Sequence, residues 1–303
     1  MTSDSRGNGN KTCSFDVIIT IPKKKLLTIG SDPDGYGYNW SGNAASNKLI
    51  TTNTNYGELI NSVIKYEGFN NNINVINGGV DPNASQLRNW LLGPEPVDIL
   101  VLGYIWTMTE EEADIITEYI LKRGVVLAFS ESLAGNRRLF QNLFNDINIT
   151  SSLINAAGAL YKLPVVDDEI LNGPFGDIRG KYWGEDASQT CRVTGLPLND
   201  IDIYSYDVDY SQATPVSTGA ITAFKHKQFN LIWVGDGGFT SSHTGTSGTI
   251  CPFKLDTNNF PIPKPNYGRR TTAREQPVYN SIFTANAVAW AIKKAESNGI
   301  NTP

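Results

Sequence analysis

Residues 25–145 alternate short apolar runs with longer amphipathic segments, and this alternation constrains the fold more than any other feature of the chain. The predicted strands are Lys25–Gly30, Ile73–Asn77, Asp98–Gly103 and Val125–Ser130. The predicted helices are Tyr56–Tyr66, Ala84–Leu92, Thr109–Lys122 and Asn136–Phe144. Nearly continuous apolar strands that alternate with helices indicate a parallel sheet covered on both faces. Ligands of such sheets bind at the carboxyl ends of the strands.

The rest of the chain continues the α/β pattern less regularly. Residues 31–53 are rich in Gly, Asn, Asp and Ser and predict a long loop after the first strand. Asp168–Asp186 reads as a packed loop, and Pro252–Pro277 as an irregular excursion. Three strands and a helix complete the prediction: Ile201–Tyr210, the hairpin of Ala220–Lys225 with Asn230–Val234, and helix Tyr279–Glu296.

Composition and charge exclude several classes of function. The chain has 303 residues, 40% of them hydrophobic, and a formal net charge of −5. The only basic run is Lys23–Lys25, which argues against nucleic-acid binding. No apolar stretch approaches the roughly 20 residues of a membrane-spanning helix. The first residues contain no apolar signal-peptide core, so the chain is either intracellular or a fragment of a longer protein.

The cysteines and histidines do not form a recognisable metal motif. Cys13, Cys191 and Cys251 are far apart and include no CxxC spacing. They are either buried, idle thiols or a Cys191–Cys251 bridge with Cys13 left over. The two histidines, His226 and His243, are too few for a typical zinc site.

The C-terminal third carries a distinctive series of motifs. The hairpin is followed by V-G-D-G-G-F, which includes Gly235 and Asp236, and the last helix contains N-A-V-A-W from Asn286 to Trp290. This arrangement resembles the end of class I glutamine amidotransferase-like domains, especially the non-amidotransferase branch with ThuA-like and gliding-motility auxiliary proteins. The resemblance covers residues 25–296. It implies an α/β fold, a flavodoxin-like three-layer sandwich with a mainly parallel sheet.

The chain departs from true amidotransferases where their chemistry resides. Members with glutaminase activity place a Cys on a sharp turn and a His-x-Glu pair near the C-terminus. Here the corresponding turn, Phe129–Gly135, has no Cys, and no His-x-Glu occurs in the chain. Glutaminase chemistry is therefore excluded, because neither the thiolate nor its base is present.

The first 24 residues differ in pattern from the rest of the chain. The sequence from Asp4 to Val17 resembles the last strand of a hyalin-repeat immunoglobulin-like domain, a family of extracellular modules. That resemblance implies that Cys13 pairs with a cysteine upstream of this chain. We therefore predict an N-terminal β segment in residues 1–24 and the α/β domain in residues 25–303. The alternative is an ordinary edge strand of the main domain.

The loops at the predicted strand ends hold acidic and aromatic side chains that suit a carbohydrate or small polar ligand. The candidate ligand-binding residues are Asp32, Asp34, Tyr36, Tyr104, Trp106 and Glu131. Asp32 and Asp34 are also candidate Ca²⁺ ligands, although complete EF-hand spacing is missing. The alternative is that the carboxylates shape turns and the aromatic rings pack on the sheet.

A serine hydrolase site is also conceivable in the same loops. Ser132 lies where an elbow nucleophile would lie, with His243 as base and Asp236 as orienting acid. G-x-S-x-G is absent, so we prefer the alternative that Ser130–Ser132 caps the helix starting near Asn136.

From these features we expect a non-catalytic or ligand-binding module of a secreted or surface multidomain bacterial protein. The competing expectations are a hydrolase acting on a glycan or ester at the strand-end cleft, and a structural or adhesion spacer. We predict no cofactor, no direct membrane insertion, and a place in a larger chain or assembly.

Overall fold

The structure, a computed structural model, describes residues 22–30, 37–51, 57–58, 65–66, 68–103, 107–156, 158–186, 189–209, 216–242, 251–268 and 276–298. Its helices are α1 (Ala45–Thr51), α2 (Ala84–Leu92), α3 (Glu110–Leu121), α4 (Leu133–Phe144) and α5 (Asn280–Asn298). The first strands are β1 (Lys24–Ile29), β2 (Gly57–Glu58), β3 (Lys65–Tyr66), β4 (Ile73–Asn77), β5 (Ile99–Leu102), β6 (Val125–Phe129), β7 (Thr150–Asn155) and β8 (Leu160–Lys162). The later strands are β9 (Asn172–Gly173), β10 (Gly176–Asp177), β11 (Tyr182–Gly184), β12 (Gln189–Thr194), β13 (Ile201–Asp209), β14 (Val216–His226), β15 (Leu231–Val234), β16 (Lys264–Tyr267) and β17 (Gln276–Val278). Short 3-10 turns span Phe69–Asn71, Leu198–Asp200 and Gly237–Thr240.

A nine-stranded sheet forms the centre of the fold. Its order is β4-β1-β5-β6-β15-β14-β12-β7, with β13 also paired to β14. The first five strands are mutually parallel, and their order along the chain is 2-1-3-4-5, that of flavodoxin-like folds. The strands beyond β15 are antiparallel. The predicted flavodoxin-like α/β fold is confirmed. The fifth parallel strand, β15, is the second strand of the predicted hairpin, whose first strand is β14.

Both faces of the parallel strands are buried, as their uninterrupted apolar sequences predict. Along β6, Val125, Leu127 and Phe129 face a core that includes α1 and α5. Val126 and Ala128 face the opposite core, which includes α2, α3 and α4. This period-two division produces three layers, helix, sheet and helix. Each fully buried aliphatic side chain contributes about 1.5–3 kcal/mol, so the apolar strands are the main stabilising element.

Two helices begin where their sequences place a capping box. The Glu112 backbone N–H donates to Thr109 Oγ1, and the Thr109 N–H donates to Glu112 Oε2 over 2.7 Å. Asn83 and Gln86 make the reciprocal pair at the start of α2. Both boxes satisfy backbone donors that a helix start leaves open, so these helices agree with their predicted ranges to within a residue.

Three local predictions are wrong. Helix α1 lies inside the segment predicted as a loop, and the Ala45 N–H at its start donates to Ser242 Oγ, 197 residues away in the chain. The predicted helix Tyr56–Tyr66 contains instead the paired strands β2 and β3. Helix α4 begins at Leu133, three residues earlier than predicted.

A second, four-stranded sheet, β16-β17-β11-β8, lies beside the main one. Its strands include parts of the segment predicted as a packed loop, 168–186, and of the predicted irregular excursion, 252–277. In α5, the buried residues include Val288 and Trp290 of the predicted motif. None of the described helices is long and apolar enough to cross a membrane.

The structure also decides between the alternatives for two of the cysteines. Cys191 and Cys251 are both buried, and they are not bonded to each other. The Cys191–Cys251 bridge is therefore wrong, and the interpretation as buried thiols holds for this pair. Cys13 and the predicted N-terminal strand lie outside the described residues, so the domain boundary near residue 24 stays a prediction.

Candidate functional site

Two acidic residues follow adjacent parallel strands at the carboxyl edge of the main sheet. Glu131 comes two residues after the end of β6, and Asp236 comes two residues after the end of β15. Since β6 and β15 are parallel neighbours in register, with Phe129 opposite Val234, the two loops leave the sheet side by side. This is the edge at which flavodoxin-like folds bind ligands.

A third carboxylate arrives from the second sheet. Asp186 follows β11 by two residues, and its carboxylate joins those of Glu131 and Asp236. One oxygen from each of the three lies within 4.8 Å of the others. Asp186 and Asp236 are buried, whereas Glu131 is partly exposed. We call Glu131, Asp186 and Asp236 the carboxylate cluster.

Backbone donors hold two members of the cluster in place. The Gly237 N–H donates to Glu131 Oε1 over 3.1 Å, and the Gly238 N–H donates to Asp236 Oδ1 over 2.8 Å. Asp236 Oδ2 is also buried but accepts no hydrogen bond from the described residues. A buried acceptor without a donor costs roughly 1–3 kcal/mol, and more when it is charged.

Gly238 leaves the space that the carboxylate of Asp186 occupies. A Cβ atom at Gly238 would overlap the carboxylate of Asp186. The absence of a side chain at residue 238 therefore lets Asp186 pack against the turn that carries Asp236. A fourth acid, Glu185, lies beside the cluster and accepts the Gly158 N–H over 2.7 Å.

Buried aromatic residues precede or follow each cluster residue closely in the sequence. Phe129 and Phe239 stack with centroids 5.3 Å apart, and Trp183 tilts against Phe239 at 5.4 Å. Each of these rings is within three residues of a carboxylate in the sequence. The carboxylates thus follow buried apolar segments, and burial away from water disfavours the charged form of a carboxylate.

The pKa values of the cluster reflect this environment. Burial raises the pKa of Glu131 to about 8, with a further increase from the neighbouring charge of Asp186. Burial also raises the pKa of Asp236 well above its usual range, and the charges of Asp186, Glu185 and Glu131 add to the effect. The cluster therefore favours a neutralising partner, either protons or a cation.

Asn280, at the start of α5, connects the segment after β11, which carries Asp186, with the turn after β15, which carries Asp236. We call these two segments the arms of the cluster. Its Oδ1 accepts the Gly184 N–H over 2.9 Å. Its Nδ2 donates to Gly184 O over 2.9 Å and to Phe239 O over 3.0 Å. Gly184 precedes Asp186 by two residues, so this buried amide fixes the spacing between the second sheet and the turn after β15.

Only some of the site residues predicted from the sequence lie at the cluster. Glu131 and Asp236 come together as the topological argument predicts. The Ser132 hydroxyl donates to Met108 O over 3.3 Å and makes no cap hydrogen bond to α4, although Ser132 is its N-cap residue. The other candidates lie outside the described residues: Asp32, Asp34, Tyr36, Tyr104, Trp106 and His243.

Asp186 is the site residue that the sequence interpretation missed. It lies at the end of the Gly-rich segment interpreted as a packed loop, and no motif marks it. The only local signal is that two adjacent acids, Glu185 and Asp186, follow the apolar Trp183. Its approach to Asp236 depends on a contact between elements 50 residues apart, which no local pattern encodes.

Chemically, three close carboxylates with one accessible member can perform two tasks. They can coordinate a hard cation through oxygen. They can also share protons, because closely spaced carboxylates cannot all ionise at neutral pH. No described basic residue forms an ion pair with Glu131 or Asp236.

The comparisons with known proteins concern the fold. A ThuA-like protein from Bacteroides uniformis has a TM-score of 0.41 and 10% identity, over 75% of this chain and 86% of its own. A ThuA-like protein from Parabacteroides merdae has a TM-score of 0.40 and 14% identity, over 87% of this chain and 99% of its own. No protein-family model and no curated protein matches the sequence. The fold assignment rests on the strand order described above.

Proposed function

We propose that the chain is a ligand-binding module whose site is the carboxylate cluster at the carboxyl edge of the main sheet. The observation that carries the proposal is the convergence of carboxylates from the loops after β6, β11 and β15 within 4.8 Å of one another. Acidic groups favour a cationic or polyhydroxylated ligand over a phosphate, which requires basic residues or a helix start. The ligand reaches the cluster through Glu131, its partly exposed member.

Burial limits the size of what can contact all three carboxylates. Asp186 and Asp236 are each at most 1% exposed. A bulky ligand therefore contacts Glu131 and the surface around it, and only a small ligand reaches Asp236.

The test is a binding screen of monosaccharides, oligosaccharides and small polyamines by isothermal titration. Each ligand is titrated into the wild type, Glu131→Gln and the matched control Glu111→Gln, whose carboxylate is exposed on α3. We expect at least one ligand class to bind the wild type and Glu111→Gln, and to bind Glu131→Gln at least tenfold more weakly. The proposal fails if no class binds, or if Glu131→Gln binds as the wild type does.

A hydrolase acting on a glycan is the second candidate, and the raised pKa of Glu131, which suits a general acid, supports it. Retaining glycosidases hold an acid and a nucleophile about 5–5.5 Å apart. Glu131, the accessible member, would donate a proton to the leaving group. For Asp186 or Asp236 to serve as the second carboxylate, glycan binding must expose it, since each is at most 1% exposed. Hydrolysis of nitrophenyl glycosides by the wild type and by Glu111→Gln, lost in Glu131→Gln, would favour this candidate over pure binding. No hydrolysis by any of the three proteins would exclude it for those substrates.

The module's location is also a proposal. The resemblance of residues 4–17 to an extracellular repeat supports a secreted or surface protein with further domains, and leaves a spacer role open. Surface biotinylation of cells expressing the parent protein tests the location: labelling is expected, and protection in intact cells would contradict it.

A further inference from the structure

We propose that Glu131, Asp186 and Asp236 together bind one divalent cation of about the size of Ca²⁺. This inference rests on the proposed function, because it names the ligand that contacts the carboxylates directly.

The spacing of the oxygen atoms allows calcium coordination. Ca²⁺ takes oxygen ligands at about 2.3–2.6 Å, so two ligands on opposite sides of the ion are separated by about 4.6–5.2 Å. The three cluster oxygens lie within 4.8 Å of one another, a spread that three ligands of one Ca²⁺ can have. Mg²⁺ gives up its water reluctantly and usually keeps several water ligands, so a cluster with two of its three carboxylates buried suits Ca²⁺ better.

Asp236 supplies an independent sign that the site is built for a ligand. Its side chain is fully buried, and its Oδ2 accepts no hydrogen bond from the described residues. Oδ1 is already engaged by the Gly238 N–H, which fixes the plane of the carboxylate. Oδ2 is thus a buried acceptor whose capacity no described residue uses, and a cation is one partner that would satisfy it.

The charge balance also favours a cation. Once the ion has displaced the protons that the cluster shares, the three carboxylates contribute a charge of minus three, and one Ca²⁺ neutralises two of these charges. Glu185 adds a further negative potential from beside the cluster. Because Glu131 is partly exposed, water can complete the coordination sphere from its side.

The test uses the full chain after EDTA treatment and dialysis. Ca²⁺, Mg²⁺ and Mn²⁺ are each titrated into the wild type, Asp236→Asn, Glu131→Gln and the control Glu111→Gln. Isothermal titration reports affinity, and thermal unfolding reports stabilisation. The Asn and Gln variants keep the shape of the side chain and remove a repelling charge, so we expect them to fold without the ion.

We expect one Ca²⁺ per wild-type chain with a Kd below about 1 mM, weaker Mg²⁺ binding, and a Tm that rises with Ca²⁺ concentration. Both cluster variants should bind Ca²⁺ at least tenfold more weakly, and Glu111→Gln should match the wild type. The inference is wrong if the wild type binds none of these ions, or if both cluster variants bind Ca²⁺ unchanged. A sugar or polyamine that binds with EDTA present and requires Glu131 would leave the proposed function standing without the cation.

Discussion

Substitution of Asn280 tests whether its hydrogen bonds position the carboxylate cluster or only stabilise the fold. Helix α5 contains a matched control for this test. Asn286 is equally buried on the same helix and also makes three hydrogen bonds. It accepts from the Phe175 N–H and donates to Ile170 O and Gly176 O. Asn280 holds the arms of the cluster, whereas Asn286 holds the segment around β9 and β10.

The expected loss of stability is similar for Asn280→Ala and Asn286→Ala. Each substitution removes three hydrogen bonds and leaves three backbone groups to find other partners. An unsatisfied buried group costs about 1–3 kcal/mol, and partial relaxation reduces the sum, so each variant should lose about 3–5 kcal/mol. Typical domains have a free energy of unfolding of about 5–15 kcal/mol, so both variants should stay folded at low temperature.

The two variants should differ in cation affinity. Release of Gly184 and Phe239 in Asn280→Ala frees the arms that carry Asp186 and Asp236. Loss of such supporting hydrogen bonds weakens metal binding by about 10–100-fold, so we expect that decrease in Ca²⁺ affinity. Asn286→Ala should bind Ca²⁺ within about threefold of the wild type, because it leaves both arms in place.

Urea unfolding and Ca²⁺ titration at 15 °C, with circular dichroism to confirm folding, measure both quantities. An equal decrease in Ca²⁺ affinity in the two variants would refute local positioning and indicate a general effect of destabilisation. Unchanged stability in both variants would show that the described hydrogen bonds do not contribute as argued.

Four other predictions address the rest of the molecule. Gly235→Ala should destabilise the fold by about 2–3 kcal/mol in urea unfolding, because its Cβ would overlap the Cys191 carbonyl oxygen of β12; wild-type stability would contradict that contact. His226 Nδ1 accepts hydrogen bonds from the Gln228 and Phe229 N–H groups, and burial lowers the pKa of His226 below 6.5. Its contribution to the free energy of unfolding is therefore complete above pH 6.5 and is lost as the pH falls toward the lowered pKa. His226→Asn keeps an acceptor and should lack this acid-induced loss of stability; a pH profile identical to that of the wild type would contradict the role of His226. Deletion of residues 1–22 should leave the Tm nearly unchanged, and a loss of many degrees would make them an integral strand. The purified chain should not hydrolyse glutamine, and hydrolysis abolished by Ser132→Ala would overturn that expectation.

The parallel half of the fold could be predicted from sequence because its signals are local. Strands β1, β4, β5 and β6 are apolar runs, and the capping boxes at Asn83 and Thr109 mark helix starts. Helix α1 was missed because its sequence is polar and its N-terminus depends on Ser242. Where the deciding contact is distant, the local pattern carries no signal.

The difference between local signals and distant contacts also explains which residues of the candidate site could be predicted. Glu131 and Asp236 were predictable, because strand order places the loops after β6 and β15 together. Asp186 was not, since its position depends on β11 pairing in a second sheet and on the space left by Gly238. Sequence reasoning thus predicted the edge and two carboxylates, but neither the third carboxylate nor the cluster's burial.

The most direct test of the carboxylate cluster as a cation site is a crystal structure grown with Mn²⁺ in place of Ca²⁺ and measured for anomalous scattering. The account predicts one anomalous peak within about 2.5 Å of carboxylate oxygens of Glu131, Asp186 and Asp236. An ordered cluster with no peak at saturating Mn²⁺, or a peak elsewhere alone, would contradict it.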